Sequence, residues 1–246
     1  MNSAGVADGT FALITGANKG IGYEIARGLG EKKITVLMGS RGQARGQAAA
    51  DCLRAEGLDA RFIEIDVTRR DTILSAAEWI QNQFGKLDIL VNNAGIAERM
   101  AKPSEADLAA IHKIYETNLF GPMAVTQAML PLLRRSQRGR IVNVSSSLGS
   151  LTLARDPTSP VSQFLVLGYN TSKTALNSMT VQFANELRDT PIKVNAVCPG
   201  YCATDINTHS GPRTAKQGAV APVQLATIPD DGPSGGFFNE DGPVPW

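Results

Sequence analysis

The sequence predicts an α/β fold in which a doubly wound parallel β-sheet has helices on both faces. Three observations predict it. Short apolar runs alternate with longer runs of helical periodicity along the chain, the order typical of βαβ units. Glycine or short polar residues follow most of the apolar runs, where parallel strands end beside a ligand crevice. No linker divides the 246 residues, so we expect one domain, 1–246.

The first half of the chain alternates predicted strands and helices. The strands are short apolar runs at 11–15, 34–38, 60–65 and 87–91. The helices are predicted at 21–30, 43–56 and 71–84. Gly57 and Gly85 end the second and third helices, because glycine readily takes the left-handed conformation that closes a helix.

The second half continues the alternation with longer helices. We expect helices at 104–118, with Ser104 as N-cap, and at 123–133 after a break at Gly121 and Pro122. Polar groups freed at such a break can hold water, and Asn118 lies close to it. The remaining predicted segments are a strand at 140–144, an irregular span at 150–166, a helix at 169–187, a strand at 192–197, a helix near 214–227 interrupted by a proline, and a last strand at 236–239.

A glycine-rich turn joins the first strand to the first helix. Gly16, Gly20 and Gly22 are spaced as G-x-x-x-G-x-G. In this context one glycine makes the tight turn, another lets the backbone approach a pyrophosphate, and the helix N-terminus supplies amide donors. We interpret the turn as the phosphate-binding loop of a dinucleotide site. A plain turn is the alternative.

The end of the second strand favours NADP over NAD. A carboxylate here would accept from the 2′-hydroxyl of an NAD ribose, but the strand ends in Gly39-Ser40-Arg41. Arg41 and Lys19, in the glycine turn, are two cations suited to a 2′-phosphate. Two solvated surface charges are the alternative interpretation.

Tyr169 and Lys173 lie one helical turn apart in the predicted helix at 169–187. A free tyrosine titrates near about 10 and is a poor acid or base at neutral pH. A fixed ammonium beside it favours the phenolate, and we expect it to lower the pKa of the phenol. A surface pair on an amphipathic helix is the alternative for this spacing alone.

The charge balance and hydropathy exclude several classes of protein. Lys and Arg number 24 against 23 Asp and Glu, a formal net charge of +1 with no basic block, so no nucleic-acid partner is expected. No apolar run reaches the roughly 18 residues of a membrane span. The N-terminus does not have the pattern of a secretory signal.

Cysteine and histidine usage indicates no disulfide framework and no metal site. Cys52, Cys198 and Cys202 form no C-x-x-C pair, which suits a reducing cytoplasm. His112 and His209 are far apart with no third ligand suggested nearby. We expect His112 on a helix face and His209 in a loop.

Taken in order, the motifs resemble those of the short-chain dehydrogenase/reductase family over nearly the whole chain. They are Thr15-Gly16, Gly20-Ile21-Gly22, Asn92-Asn93-Ala94-Gly95, Asn118, Ser145-Ser146, Tyr169 with Lys173, Pro199-Gly200 and Gly235-Gly236-Phe237-Phe238. The resemblance implies a single Rossmann-type sheet of about seven strands. The glycine turn is most similar to that of NADPH-dependent carbonyl reductases.

The resemblance implies two sets of site residues. The NADP(H)-binding set is Gly16, Asn18, Lys19, Gly20, Ile21, Gly22, Arg41, Asp66, Val67, Asn93, Ala94, Gly95, Tyr169, Lys173, Pro199, Gly200 and Thr204. The catalytic set is Asn118, Ser146, Tyr169 and Lys173.

The implied catalytic roles describe carbonyl reduction. Tyr169 would donate a proton to the nascent alkoxide, and Lys173 would lower its pKa and bind the nicotinamide ribose. Ser146 would polarise the carbonyl, and Asn118 would hold a water of the proton relay. Thr204 would bind the carboxamide end of the cofactor.

The implied contacts with the rest of the cofactor follow the strand order. The three glycines would hold the pyrophosphate with Ile21 beside it, and the two cations would meet the 2′-phosphate. Asp66 and Val67 would flank the adenine, and Asn93 its ribose.

Two departures from the commonest pattern affect the substrate and assembly. The interval from Ser146 to Tyr169 is longer than usual, and the loop at 150–166 is expected to border the substrate pocket. Ser147 is a rival for Ser146. We expect a small carbonyl or alcohol substrate and a homodimer or homotetramer. Oxidation of a secondary alcohol and a non-catalytic NADPH sensor are the alternative functions.

Overall fold

The computed structural model describes residues 9–246. Its strands are β1 (Phe11–Thr15), β2 (Thr35–Ser40), β3 (Ala60–Glu64), β4 (Ile89–Asn92), β5 (Arg140–Val144), β6 (Lys193–Val197), β7 (Phe237–Asn239) and β8 (Gly242–Pro243). Within the described residues they form one sheet in the order β3-β2-β1-β4-β5-β6-β7-β8. The seven predicted strands pair in parallel, and β8 adds an antiparallel edge that the sequence analysis missed.

Helices cover both faces of the sheet, as predicted. The α-helices are α1 (Gly20–Glu31), α2 (Gln43–Ala55), α3 (Arg70–Phe84), α4 (Leu108–Tyr115), α5 (Gly121–Leu133), α6 (Leu151–Arg155), α7 (Leu167–Glu186), α8 (Ala215–Gly218) and α9 (Val220–Ala226). Neighbouring strand residues alternate between two cores: Ile14 packs with α1, α2 and α9, whereas Leu13 packs with α3, α5 and α7. Burial on both faces explains why the strands are continuous apolar runs rather than alternating ones.

The helix that carries Asn118 differs from the prediction at both ends. Its N-cap is Asp107, whose Oδ1 accepts from the Ala109 N–H at 2.9 Å. Ser104 lies earlier, in a 3-10 turn, so the predicted N-cap is wrong. No break occurs at Pro122, which sits in the first turn of α5, where its missing N–H is tolerated. A π-helical turn, Glu116–Phe120, instead joins α4 to α5 and contains Asn118.

Two later segments differ from the sequence prediction in how regular they are. The span at 150–166, expected to be irregular, contains α6 and a 3-10 turn, Pro160–Gln163. The side chains of Ser150 and Ser159 cap these two pieces. Both are too short to show helical periodicity. The helix predicted near 214–227 is divided into α8 and α9, which meet at Ala219.

No helix within residues 9–246 is both long enough and apolar enough to cross a membrane.

Candidate active site

The predicted site residues gather at the carboxyl edge of the sheet. Strand order reverses between β1 and β4, which lie side by side although β2 and β3 come between them in sequence. Ligands of open α/β sheets bind in the crevice at such a switch point. At this edge, a predicted site residue comes shortly after the end of each strand from β1 to β6. In chain order these residues are Gly16, Arg41, Asp66, Asn93, Ser146 and Pro199.

The glycine turn after β1 leaves no space for a side chain at Gly16 or Gly22. Gly16 has φ +66°, which favours glycine. A Cβ on Gly22 would collide with the Asn93 amide nitrogen and lie 2.6 Å from the Gly16 carbonyl oxygen. The Asn93 amide donates to the carbonyls of Thr15 at 2.9 Å and Gly16 at 3.3 Å. Asn93 therefore braces the turn, and its predicted contact with a ribose stays a prediction.

The N-terminus of α1 is available to an anion. The helix begins at Gly20, and no side chain of the described residues caps it. The first-turn amides therefore keep their hydrogen-bonding capacity, and the helix dipole adds positive potential. Together with the close-packed turn before it, this end fits the pyrophosphate of a dinucleotide.

The two cations predicted to meet a 2′-phosphate differ in their surroundings. Arg41 is exposed directly after β2 and, among the described residues, has no carboxylate within 4.0 Å. Lys19 forms an ion pair with Asp205, which also contacts His209 Nε2 at 2.8 Å. Hydrogen bonds from Lys19 and His209 lower the pKa of Asp205. A bound phosphate would therefore compete with Asp205 for Lys19 but not for Arg41.

The predicted adenine-flanking pair follows β3. Asp66 Oδ1 accepts from the N–H of Thr68 at 3.0 Å and from its hydroxyl at 2.7 Å, so the carboxylate shapes its own turn. Val67 is buried against Gly121, where an added Cβ would lie 2.9 Å from Val67 Cβ. Both residues lie at the sheet edge as expected, and their contacts with adenine stay a prediction.

Tyr169 and Lys173 lie in the first two turns of α7, with Ser146 opposite them at the end of β5. The hydroxyl of Ser146 lies close enough to the Tyr169 phenol to lower its pKa. Lys173 Nζ lies 5.5 Å from the centre of the Tyr169 ring and donates to the Val144 carbonyl at 2.8 Å. The structure thus brings together three of the four predicted catalytic side chains.

Burial dominates the acid–base properties of this pair. Desolvation raises the pKa of Tyr169 to about 12, and the hydrogen bond to Ser146 offsets only part of the effect. Burial lowers the pKa of Lys173 to about 8. The expected lowering of the phenol's pKa is therefore absent in this structure. The physical reason is that the ammonium is itself desolvated and points to a main-chain carbonyl.

Asn118 completes the cluster from the π-helical turn. Its side-chain amide donates to the Ile96 carbonyl at 2.8 Å and to Ser172 Oγ at 3.1 Å, and its Oδ1 accepts from the Ile96 N–H at 2.9 Å. A Cβ on Gly95 would lie 3.5 Å from Asn118 Oδ1 and 3.6 Å from Lys173 Nζ. Asn118 thus fixes the backbone of Ile96, directly after Gly95, by hydrogen bonds to its N–H and its carbonyl. The role of Asn118 in holding a water stays a prediction.

Comparison with known proteins agrees with this geometry. The sequence model of the family described as short chain dehydrogenase matches residues 10–215. The chain belongs to this family.

Individual relatives extend the match over almost the whole chain. The (-)-isopiperitenone reductase of Mentha piperita is 36% identical, with 94% of this chain and 96% of the relative covered. Its alignment runs over 304 positions, more than the 246 residues here, so that reductase carries segments without a counterpart in this chain. Carbonyl reductase [NADPH] 3 of Rattus norvegicus is 34% identical over 89% of this chain and 91% of its own.

A solved structure confirms the fold. The NADPH-bound carbonyl reductase from chicken fatty liver superposes with a TM-score of 0.84 at 26% identity, covering 98% of this chain and 100% of the other. The resemblance to carbonyl reductases within the short-chain dehydrogenase family is therefore confirmed.

The segment after β6 lies next to the glycine turn, at the N-terminus of α1. Gly200 follows Pro199 with φ +79°, which favours glycine. Thr204 begins a short 3-10 turn, and a Cβ on Gly20 would lie 3.7 Å from its methyl group. The structure thus places Thr204 beside the N-terminus of α1. Its contact with a carboxamide stays a prediction.

The structure favours Ser146 over Ser147 and reveals residues that the sequence analysis missed. Ser147 begins a 3-10 turn, and its N–H donates to Cys198 Sγ at 3.2 Å. The buried Cys198 thiol lies close enough to influence the pKa values of both Tyr169 and Lys173. Thr15 Oγ1 accepts from the Asn93 N–H at 3.0 Å, fastening β1 to β4. The sequence signal for this role of Thr15 was its position directly before Gly16, the first glycine of the turn.

Within residues 9–246, no group of three or more His, Cys, Asp or Glu side chains is arranged to hold a metal ion. His112 lies on α4 and His209 in a loop, as predicted.

Proposed function

We propose that this protein is an NADPH-dependent oxidoreductase that reduces a ketone or aldehyde to the alcohol. The observation that carries the proposal is the cluster of Ser146, Tyr169 and Lys173 beside a close-packed glycine turn at the sheet's switch point. Carbonyl reductases of the same family, one of them with NADPH in its name and one solved with NADPH bound, support the choice of NADP(H).

The chain's own residues account for each part of the cofactor. The uncapped N-terminus of α1 would bind the pyrophosphate, and Arg41 the 2′-phosphate. Gly95 would allow the nicotinamide ribose to approach Lys173 Nζ, since an added Cβ would lie 3.6 Å from that nitrogen. When bound, the reduced nicotinamide supplies a hydride to the carbonyl carbon.

Ser146 and Tyr169 act on the carbonyl oxygen. The Ser146 hydroxyl, which lies near the phenol, would donate to that oxygen and hold it beside Tyr169. As the oxygen becomes an alkoxide, the phenol gives up its proton to it. The ammonium of Lys173, held by the Val144 carbonyl, would donate to the nicotinamide ribose and so keep the cofactor beside the phenol.

The pKa of Tyr169 suits the role of proton donor. At about 12 it keeps the phenol protonated at neutral pH, which is the form that a proton donor needs. Alcohol oxidation would require the phenolate as a base, and burial makes that form scarce. The same residues would serve the oxidative alternative in reverse, so turnover measured in both directions at cellular cofactor and substrate ratios separates the two.

Removal of the Tyr169 hydroxyl tests the proposal. We expect Tyr169→Phe to lower kcat for carbonyl reduction by about 10²–10⁴-fold, the usual contribution of a positioned acid. The affinity for NADPH should stay within about twofold, because binding rests on other groups. Tyr23→Phe, on α1, is the matched control and should keep full activity.

Two outcomes would contradict the proposal. Near-full turnover by Tyr169→Phe would remove the proton donor from the mechanism. Tight NADPH binding by the wild type without oxidation of NADPH, across aldehydes, α-keto esters, diketones and quinones, would favour a non-catalytic sensor. A cytoplasmic location and a homodimer or homotetramer stay predictions from the sequence.

A further inference from the structure

The helix that carries Tyr169 and Lys173 lacks a local N-terminal cap. Its N-cap position is Val166, which has no side-chain acceptor, and its first turn contains no acidic residue. The first amides of a helix have no intrahelical partner and need another acceptor. Tyr169 is the third residue of α7, so the phenol is attached to the part of a helix that is least restrained by its own hydrogen bonds.

A carboxylate from a distant loop supplies the missing acceptor. Glu98 Oε1 accepts from the Gly168 N–H at 2.6 Å. The Tyr169 N–H donates to Glu98 Oε1 at 3.2 Å and to Oε2 at 3.1 Å. Such charge-assisted bonds are stronger than neutral ones, and a negative charge at a helix N-terminus also complements the helix dipole.

The space around this carboxylate is tightly limited. Gly168 is buried, and a Cβ there would lie 3.1 Å from Glu98 Oε1 and 2.9 Å from Ile111 Cγ1. The start of α7 therefore packs directly on α4, and the carboxylate occupies the remaining room beside it. A different placement of α7 would remove both the packing and the cap.

The loop that carries Glu98 is itself fixed to the catalytic cluster. Two residues before Glu98, the Ile96 peptide is held at both its N–H and its carbonyl by Asn118. Three residues after it, the Ala101 N–H donates to the Leu165 carbonyl at 3.0 Å, next to the start of α7. Glu98 thus connects the turn after β4 to the first turn of the catalytic helix.

We propose that Glu98 is a positioning residue, which holds the first turn of α7 so that the Tyr169 phenol stays against Ser146. The inference rests on the proposed function, because its effect is expressed through proton donation by Tyr169. Glu98 acts on the backbone of Tyr169 and contacts no reacting atom.

Three variants test this role. Glu98→Ala removes the acceptor, and we expect kcat to fall by about 10- to 100-fold, the range that a small misplacement of a catalytic group produces. KM for NADPH should stay within about twofold, because the glycine turn and Arg41 are untouched. Glu98→Gln retains one acceptor oxygen and should recover kcat to within about threefold of wild type.

The control is Glu105→Ala, an exposed glutamate farther along the same segment whose nearest cation, Lys102, is 4.0 Å away. It should leave kcat unchanged. A general loss of stability would lower kcat and NADPH binding together, so the split between kcat and KM separates positioning from folding.

Amide exchange over residues 166–173 gives a readout that does not depend on turnover. We expect faster exchange in Glu98→Ala and wild-type exchange in Glu98→Gln. Wild-type kcat or wild-type exchange in a folded Glu98→Ala would overturn the inference. If the alanine variant does not fold, a tenfold loss of kcat in Glu98→Gln overturns it, and recovery to within threefold supports it. A wild-type enzyme inert towards every carbonyl refutes the proposed function instead, and exchange then decides the role of Glu98.

Discussion

The carboxyl edge of the sheet contains two halves whose candidate site groups differ in kind and in exposure. At the ends of β1, β2 and β3, the candidate binding groups are backbone amides, glycines and an exposed Arg41. Beside the ends of β4 and β5, the candidate groups include buried side chains from the π-helical turn and from α7, with Asn118 and Lys173 only 0% and 4% exposed. The first half is shaped by backbone conformation, whereas the second is governed by desolvation.

This difference separates two kinds of tuning. A phosphate-binding turn needs free backbone N–H groups and enough space for the phosphate to approach them. Its affinity therefore depends on which positions are glycine and lack a Cβ. An acid–base pair depends on how strongly burial disfavours each charge, and here burial moves the pKa of Tyr169 up and that of Lys173 down. Variants in the first half should therefore change cofactor affinity, and those in the second the pH dependence of turnover.

The largest effect is expected from Gly22→Ala. The new Cβ would collide with Asn93 and lie 2.6 Å from the Gly16 carbonyl, which would deform the cradle. Loss of two amide–phosphate hydrogen bonds, each worth about 1.5–3 kcal/mol, should weaken NADPH binding about 100-fold or more in a fluorescence titration. Gly28→Ala in the same helix meets only the Val223 side chain and is the control. Equal affinities of the two variants would show that the turn does not bind phosphate.

A smaller effect is expected from Arg41→Ala. Loss of a charged contact with the 2′-phosphate should raise Kd for NADPH about 10- to 100-fold and leave Kd for NADH unchanged. Lys19→Ala should change the affinity for NADPH by less than about threefold, because Asp205 already pairs with Lys19. A larger loss with Lys19→Ala than with Arg41→Ala would reverse the assignment of the phosphate-binding cation.

The pH dependence of turnover probes the buried half. Because the pKa of Tyr169 is about 12, the phenol stays protonated at pH 7 and at pH 9. The pKa of Lys173 is about 8, so its ammonium is lost over this interval. We expect kcat for reduction to fall about tenfold from pH 7 to pH 9.

Lys173→Arg provides the control for this profile, because a guanidinium stays charged across the interval. Relative to its own maximum, the variant should lose the decline above pH 8. A flat wild-type profile, or the same decline in the variant, would show that the charge of Lys173 does not limit the rate.

Regular structure was predictable where periodicity was long enough to read. β1 to β6 and α1 to α3 follow apolar runs or glycine stops and lie close to their predicted bounds. β8 contains two residues, and α6 only five, so neither shows a period. The misassigned N-cap has a similar cause: Ser104 and Asp107 are both good caps, and tertiary packing selected the second.

The sequence predicted which side chains lie together in the site, but it did not predict how burial shifts their pKa values. Spacing placed Tyr169 and Lys173 on one face, yet the lysine donates to Val144 and both pKa values reflect burial, which sequence does not display. The capping of α7 by Glu98 also could not be predicted from the sequence. Capping rules are local, whereas this carboxylate lies 70 residues from its nearest amide partner in the chain.

The π-helical turn around Asn118 has a consequence for insertions and deletions. Its hydrogen bonds span one residue more than those of an α-helix, so losing any one residue from Glu116–Phe120 would return the turn to α geometry. Four residues in α geometry cover about the same rotation as the five of this turn, so α4 and α5 would keep their relative orientation while the side chains inside the turn would change direction. Asn118 could no longer reach both atoms of the Ile96 peptide. The number of residues in this turn is therefore constrained more strictly than the identity of an exposed member such as Phe120.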